Sequence, residues 1–333
     1  MSRDEKIEQN RQRILNLLAE QEGPIGSGQI TRILNDSGSD ISERSVRLYL
    51  NQLDQEGLTE SYGKRGRSIT EQGRNSIKTS ALLSRVGYMS TKIDNLTYRM
   101  NFDLALRRGT VVVNLALVEK ALLISRLDKI TRVFDKGYAM GTLVSLLRPG
   151  DRLDDFLIPQ GMVGLCTVCS ITLNGVLLKY GIPTRSVFSG ILEITNGLPT
   201  GFSELINYDG TSIDPLQLFI RSRMTDYLGA IANGNGRIGA GFRELPAESY
   251  DLTESLAQKL KAIGLGAFLK IGRPSRDLYN IPVKEGSCGA VVIGGLNPVA
   301  ILEETRAEVQ HYALAGLMEY NQLFPYHELK DHL

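Results

Sequence analysis

Between Asp4 and Glu20 the apolar residues Ile7, Ile14, Leu15, Leu17 and Leu18 recur at helical spacing, and Gly23-Pro24 ends the run. This predicts a helix with one buried face. Ser27 stands where it would cap a second short helix burying Ile30, Ile33 and Leu34, ahead of an Asn35-Asp36-Ser37-Gly38 loop. After Ser42, a second plausible cap, Val46, Leu50 and Leu53 fall on one helical stripe, which turns Arg44, Ser45, Arg47, Tyr49 and Asn51 toward solvent. Gly57 can close this helix. Leu58 to Tyr62 and Ser68 to Thr70 then alternate like two short strands around Gly63-Lys64-Arg65-Gly66-Arg67. Three helices and a hairpin read as a winged helix-turn-helix over residues 1–80. In that arrangement the third helix suits a DNA major groove, and Lys64, Arg65 and Arg67 on the wing suit phosphates.

The pattern changes in residues 81–333. Val111 to Val118 is apolar on both faces, as in a strand covered on both sides, and Leu123, Leu127, Ile130 and Phe134 mark a helix. Leu143 to Leu147 and Val163 to Ile171 read as further strands. The order returns later with Ile238 to Phe242, a helix carrying Leu252, Leu256, Leu260 and Ile263 behind Asp251-x-x-Glu254, and strands at Ala267 to Ile271 and Ala290 to Gly294. Ile158-Pro159 recurs as Ile281-Pro282, and the same offset lays Leu173-Asn174-x-Val176 on Leu296-Asn297-x-Val299. The expectation is an α+β chain: a winged helix followed by a duplicated α/β sandwich of α-β plait type, with repeats at about 109–180 and 236–303. Between the repeats, Asp214-Pro215 opens a helix burying Leu216, Ile220, Met224, Tyr227 and Ile231.

Composition narrows the function classes. With 38 basic and 37 acidic residues the net charge is +1, so bulk electrostatics does not bind nucleic acid, and any DNA contact comes from local placement. Hydrophobic residues at 42% allow a packed core. The start of the chain lacks an apolar signal core, the apolar run at 111–118 is interrupted by Asn114, and three cysteines form no even disulfide framework; a cytoplasmic protein without a membrane span is expected.

Several motifs bear on chemistry. Gly234-Asn235-Gly236-Arg237-Ile238-Gly239 spells a dinucleotide-binding glycine pattern, but a helix precedes it and a strand follows, the reverse of what a nucleotide loop requires. Cys166-Thr167-Val168-Cys169 has redox or zinc spacing, yet it lies in a strand, where odd spacing points the thiols to opposite faces. His311, His327 and His332 cluster near the C-terminus, two of them in a tail read as frayed, so no histidine-based triad forms and no enzyme or cofactor is expected. A binding site is easier to build. Cys169 can line a pocket; Ser170, Thr172 and Asn174 end a strand; Arg185 lies beyond; Thr211 and Ser212 precede a helix N-terminus. Such groups suit a carboxylate.

The combination of the winged helix with Cys169-Ser170-Ile171-Thr172-Leu173-Asn174-Gly175, Gly181-Ile182-Pro183, Tyr208-x-Gly210-Thr211-Ser212-x-Asp214-Pro215 and Gly241-Phe242-Arg243-Glu244 resembles the NrpR family of archaeal nitrogen-regulatory repressors and their bacterial relatives. The resemblance covers a ribonuclease-R-type winged helix at about 10–77 and one regulatory domain at about 83–320. It implies a homodimeric repressor on palindromic double-stranded operators, released by 2-oxoglutarate bound to the regulatory domain. On that reading Arg44, Ser45, Arg47, Tyr49, Asn51, Lys64, Arg65 and Arg67 are the DNA-binding candidates. Cys169, Ser170, Thr172, Asn174, Arg185, Thr211 and Ser212 become effector-site candidates. The alternative is a winged-helix protein adaptor or a thiol- or metal-dependent redox enzyme built on Cys166, Cys169 and Cys288.

Overall fold

The computed structural model describes residues 3–37, 39–83, 88–266 and 268–333, so Gly38 and Ala267 lie outside the described residues. The chain divides into two compact units, residues 1–85 and 86–333.

The first unit contains α1 (Arg3–Ala19), α2 (Ser27–Asp36), α3 (Glu43–Gln55), an antiparallel hairpin of β1 (Thr59–Ser61) and β2 (Arg67–Ile69), and α4 (Glu71–Leu83). Ile14, Leu18, Ile30, Val46, Leu50 and Leu53 form its core. The predicted cap of α2 is displaced by one residue. Gly26 is the N-cap, its carbonyl accepting from the Gln29 and Ile30 N–H groups, and this frees the Ser27 hydroxyl to donate to Glu43 Oε1 at 2.9 Å. Ile33, expected inside, is exposed. The wing is held against the α1–α2 turn by pairing of Ile25 with Arg67. Gly66 makes this approach sterically open: its φ is +104°, and a Cβ there would lie 2.1 Å from the Ile25 carbonyl oxygen.

The second unit opens with α5 (Tyr88–Arg99). A run of β3 (Thr110–Glu119), α6 (Lys120–Asp135), β4 (Leu143–Leu147), the small hairpin β5 (Arg152–Leu153) and β6 (Phe156–Leu157), β7 (Met162–Val168), α7 (Ile171–Lys179) and β8 (Arg185–Thr195) follows. After β9 (Leu198–Asn207), α8 (Pro215–Arg221) and α9 (Tyr227–Asn233), the order repeats as β10 (Gly236–Pro246), α10 (Tyr250–Ala262), β11 (Phe268–Ile271), β12 (Ser287–Ile293), α11 (Asn297–Glu304) and β13 (Gln310–Glu319). The short β14 (Phe324–Pro325) and α12 (Leu329–His332) complete the unit.

Two five-stranded antiparallel sheets result, in the orders β13-β3-β7-β4-β14 and β11-β12-β10-β8-β9. The last strand of each repeat crosses to the sheet of the other: β8 pairs with β10, and β13 pairs with β3. The repeats are therefore interlocked rather than stacked side by side. Equivalent backbone bonds, Cys169 N–H to Val112 O at 2.9 Å and Gly294 N–H to Gly239 O at 3.0 Å, fix their correspondence. Thr172, whose side chain bonds Val112, is thus the counterpart of Asn297, whose side chain bonds Gly239. The sequence offset instead matches Asn297 with Asn174.

Other expectations change for identifiable reasons. The helix predicted from Asp214 through Ile231 is two helices, because Arg223 takes a left-handed φ of 54° and Asp226 supplies a second N-cap, accepting from Gly229 N–H. The N-cap residue of α10 is Ser249, not Asp251. Strand β7 stops at Val168, so Thr172 and Asn174 lie in the first turns of α7 and not at a strand end. Cys169 has already left the strand, which is why both Cys166 and Cys169 enter the same core cluster instead of opposite faces. The C-terminal tail is packed: Leu329 is buried, Tyr326 stacks on Phe134, and His332 stacks on Phe324.

Candidate DNA-binding and effector sites

On α3 the cap Ser42 accepts from Ser45 N–H, and Val46, Leu50 and Leu53 point inward with no exposed surface. The opposite side presents Arg44, Arg47, Leu48 and Asn51 to solvent, whereas Ser45 is half-buried beside the cap and Tyr49 is half-buried against the core. Arg47 donates to Glu43 Oε1 at 2.6 Å and to Ser27 Oγ at 3.1 Å. The Ser27 hydroxyl and then Arg47 hold the Glu43 carboxyl below its usual range. Of the wing residues, Lys64 and Arg65 are exposed. Arg67 turns back onto α3, donating to Asp54 at 2.7 Å and to Asn51 at 2.6 Å. It therefore braces wing to helix. Leu48, 55% exposed on α3, adds an apolar side chain to this face, where a search for polar residues along the sequence has no reason to stop.

In the second unit the conspicuous residue is Arg243, 0% exposed in β10. Its guanidinium donates to Ser170 Oγ at 3.2 Å, to Asn174 Oδ1 at 3.3 Å and to the Phe242 carbonyl at 3.2 Å, and it lies over the Tyr208 ring at 5.8 Å. A buried cation needs compensation, and neutral acceptors supply only part of it. Beside it is a small cavity of ≈ 20 Å³, lined among others by Asn114, Cys169, Ser170, Ser189, Tyr208 and Asp214. Asn114 accepts from Leu314 N–H, but its buried NH₂ group has no hydrogen-bond partner. Ser189 and Tyr208 share a short hydrogen bond. Burial raises the Asp214 carboxyl against the opposing pull of Lys92 and Arg243. Burial lowers the Lys92 ammonium, whose Nζ lies 3.5 Å from the Ala313 carbonyl oxygen.

The cavity sits where the repeats meet. By the correspondence above, Asn114 is the counterpart of Gly241, Cys169 of Gly294, and Ser170 of Gly295. One repeat supplies side chains, and the other supplies glycines that leave room for them. A Cβ on Gly295 would come within 2.4 Å of Asn114 Nδ2, and one on Gly241 within 2.8 Å of Arg243 Nη1.

Of the seven effector candidates, Cys169 and Ser170 line this cavity and Asn174 is tied to it through Arg243. Thr172 is engaged with both the N–H and the C=O of Val112. Arg185 is exposed and pairs with Asp209 and Glu244, Thr211 donates to the Ile213 carbonyl, and Ser212 is exposed. Arg243 carries a usable signal, a cation directly after the apolar stretch from Ile238 to Phe242. Burial pushes the Cys169 thiol up to about 11 and that of Cys166 to about 12, so neither resembles an activated thiolate. Among the described residues no three His, Cys, Asp or Glu side chains gather as a metal site, and no helix is long and apolar enough to cross a membrane.

The family model for NrpR regulatory domains 1 and 2 matches residues 86–325. The chain belongs to the NrpR family. The ribonuclease R winged-helix model matches residues 12–77 of this NrpR-family chain. Global nitrogen regulator NrpRI of Methanosarcina mazei is 33% identical over 96% of the chain and 98% of its own length. Global nitrogen regulator NrpR of Methanocaldococcus jannaschii is 32% identical over 95% of the chain and 54% of its own length, so the chain spans about half of that longer NrpR. A crystal structure of a nitrogen repressor-like protein from Methanococcus jannaschii superposes with a TM-score of 0.60 at 26% identity, covering 71% of this chain and 97% of that one.

Proposed function

We propose that this chain is a repressor of nitrogen-assimilation genes that binds a palindromic operator as a homodimer and is released by a small dicarboxylate such as 2-oxoglutarate. The observation that carries the reading is Arg243, a cation without solvent access beside a polar cavity, in a chain that also bears a winged helix. Arginine is the side chain suited to a carboxylate through paired hydrogen bonds. Ser170, Ser189, Tyr208 and the unpartnered Asn114 amide add neutral donors around it. Each chain has one recognition helix, so a two-fold operator requires two chains. Arg44, Arg47, Leu48 and Asn51 face the bases and Lys64 and Arg65 the phosphates, while Arg67 holds the wing in place. The effector acts by population shift between arrangements that do and do not fit the operator. The relatives' names as global nitrogen regulators support the regulon; the raised thiols argue against the redox alternative.

The test is fluorescence anisotropy of the full chain with DNA from upstream of its own gene and of glutamine synthetase genes. Binding that weakens with millimolar 2-oxoglutarate, but not with an equal concentration of chloride, is expected. Unchanged affinity would overturn the effector assignment, and absence of sequence-specific binding would overturn the repressor assignment.

A further inference from the structure

We propose that Asp214 is an internal counter-ligand, a carboxylate of the protein that balances the cations Arg243 and Lys92 until the effector's carboxylates replace it. The inference rests on the reading of this cavity as a dicarboxylate site and adds which group of the protein the ligand displaces.

The hydrogen bonds of both cations go to neutral groups: those of Arg243 to Ser170, Asn174 and the Phe242 carbonyl, that of Lys92 to the Ala313 carbonyl. The carboxylate whose charge acts on both is Asp214, buried on the wall of the cavity that Ser170 and Ala313, their hydrogen-bond partners, also line. Its Oδ1 also accepts from Gln217 N–H at 3.0 Å, capping α8. A cavity of ≈ 20 Å³ has room for about one water molecule, so a five-carbon dicarboxylate enters only when the wall moves. Charge decides which part of the wall that is. Two cations balance a dianion if Asp214 withdraws, whereas a dianion added beside an ionised Asp214 leaves like charges together in a largely buried site.

Withdrawal of Asp214 has a mechanical consequence. It ends the 208–214 segment, whose Tyr208 also lines the cavity and whose Asp209, Gly210, Ser212 and Ile213 are exposed. The same segment holds the first turn of α5: Met89 N–H donates to the Thr211 carbonyl at 3.3 Å, and Ser90 Oγ donates to Asp209 Oδ1 at 3.2 Å. Lys92 is on that helix too. Effector entry therefore exchanges an internal carboxylate for an external one and loosens α5, the first helix of the regulatory unit.

The experiment is calorimetric titration of the full chain with 2-oxoglutarate, comparing wild type with Asp214→Asn and Asp214→Ser. Both replacements are strong helix N-caps, so α8 keeps its start. Each is expected to bind at least about tenfold more tightly than wild type, and Lys92→Met at least about tenfold more weakly. Equal or weaker binding by the folded Asp214 variants, with wild type binding normally, overturns the counter-ligand alone. Lys92→Met binding as wild type removes Lys92 from the pair and overturns the proposal as stated. No binding by any of the proteins at millimolar concentration overturns the dicarboxylate reading and this proposal with it.

Discussion

Replacing Arg243 by methionine separates what this side chain contributes to stability from what it contributes to ligand binding. The substitution removes hydrogen bonds to Ser170, Asn174 and the Phe242 carbonyl. Hydrogen bonds from a charged group are worth about 1.5–3 kcal/mol each. Against that loss stands the relief of a guanidinium without solvent access, whose desolvation costs several kcal/mol. Asn174 keeps its bond to Ser186 at 3.0 Å, and methionine fills most of the vacated volume. The opposing quantities nearly cancel, so the second unit should change in stability by less than about 2 kcal/mol, a shift of under about 8 °C in its melting transition. Ligand binding has no such cancellation. Truncating one side of a buried, hydrogen-bonded charge pair costs about 2–5 kcal/mol, a loss of about 30- to several-thousand-fold in affinity for 2-oxoglutarate. Differential scanning calorimetry measures the first quantity, and anisotropy on operator DNA across an effector titration measures the second. The variant should bind DNA as wild type does and ignore the effector. Release at the wild-type effector concentration would refute the assignment of Arg243, and collapse of the regulatory transition would refute the energetic balance.

Lys64→Ala should weaken DNA binding uniformly across sequences and reduce the salt slope by about 1, whereas Arg47→Ala should also relax base preference; competition anisotropy at several salt concentrations distinguishes them. Glu43→Gln weakens the hold on Arg47 and is expected to raise affinity for DNA, which the same assay reads. His311 is fully buried, and burial depresses its imidazole to about 4. Between that value and the ordinary value near 6.5 the unfolded chain binds more protons, so the contribution of His311 to stability is complete above about pH 6.5 and declines by about 3 kcal/mol as pH falls to 4. His311→Phe should flatten that part of the stability–pH curve in urea unfolding; an unaltered slope would mean that His311 is not the group responsible.

The first unit was readable because its elements are local. The stripe Val46, Leu50, Leu53 and the Ser42 cap lie within one helix, and the basic tip between β1 and β2 is contiguous. What stayed hidden there depends on partners distant in sequence: Arg67 looks like a wing cation until Asp54 is seen beside it. In the second unit strand periodicity placed β3 and β4 closely and caught the middle of β10 and the end of β12. It overran β7 because Cys169, Ser170 and Ile171 continue the apolar pattern while the chain is already turning into α7. The effector candidates legible along the sequence, Cys169, Ser170, Thr172, Asn174, Arg185, Thr211 and Ser212, are polar residues near element ends. The cavity instead gathers β3, β8, β10 and the β7–α7 junction, and no spacing rule links Asn114, Ser189 and Arg243. The exchange of β8 and β13 between sheets is what brings them together.

That exchange also governs how the chain reaches its native state. Gln310 pairs with Leu117, and the Leu314 N–H bonds the Asn114 side chain 200 residues earlier, so the edge of β3 stays open until residues 310–319 have been made. Pairings this distant in sequence carry a large loop-closure cost and fold slowly. During synthesis β3 is therefore an unprotected, strongly apolar edge. A ribosome-bound chain ending before residue 310 should depend on chaperones to a degree that the finished protein does not, and the regulatory unit should gain its protection from proteolysis in one late step.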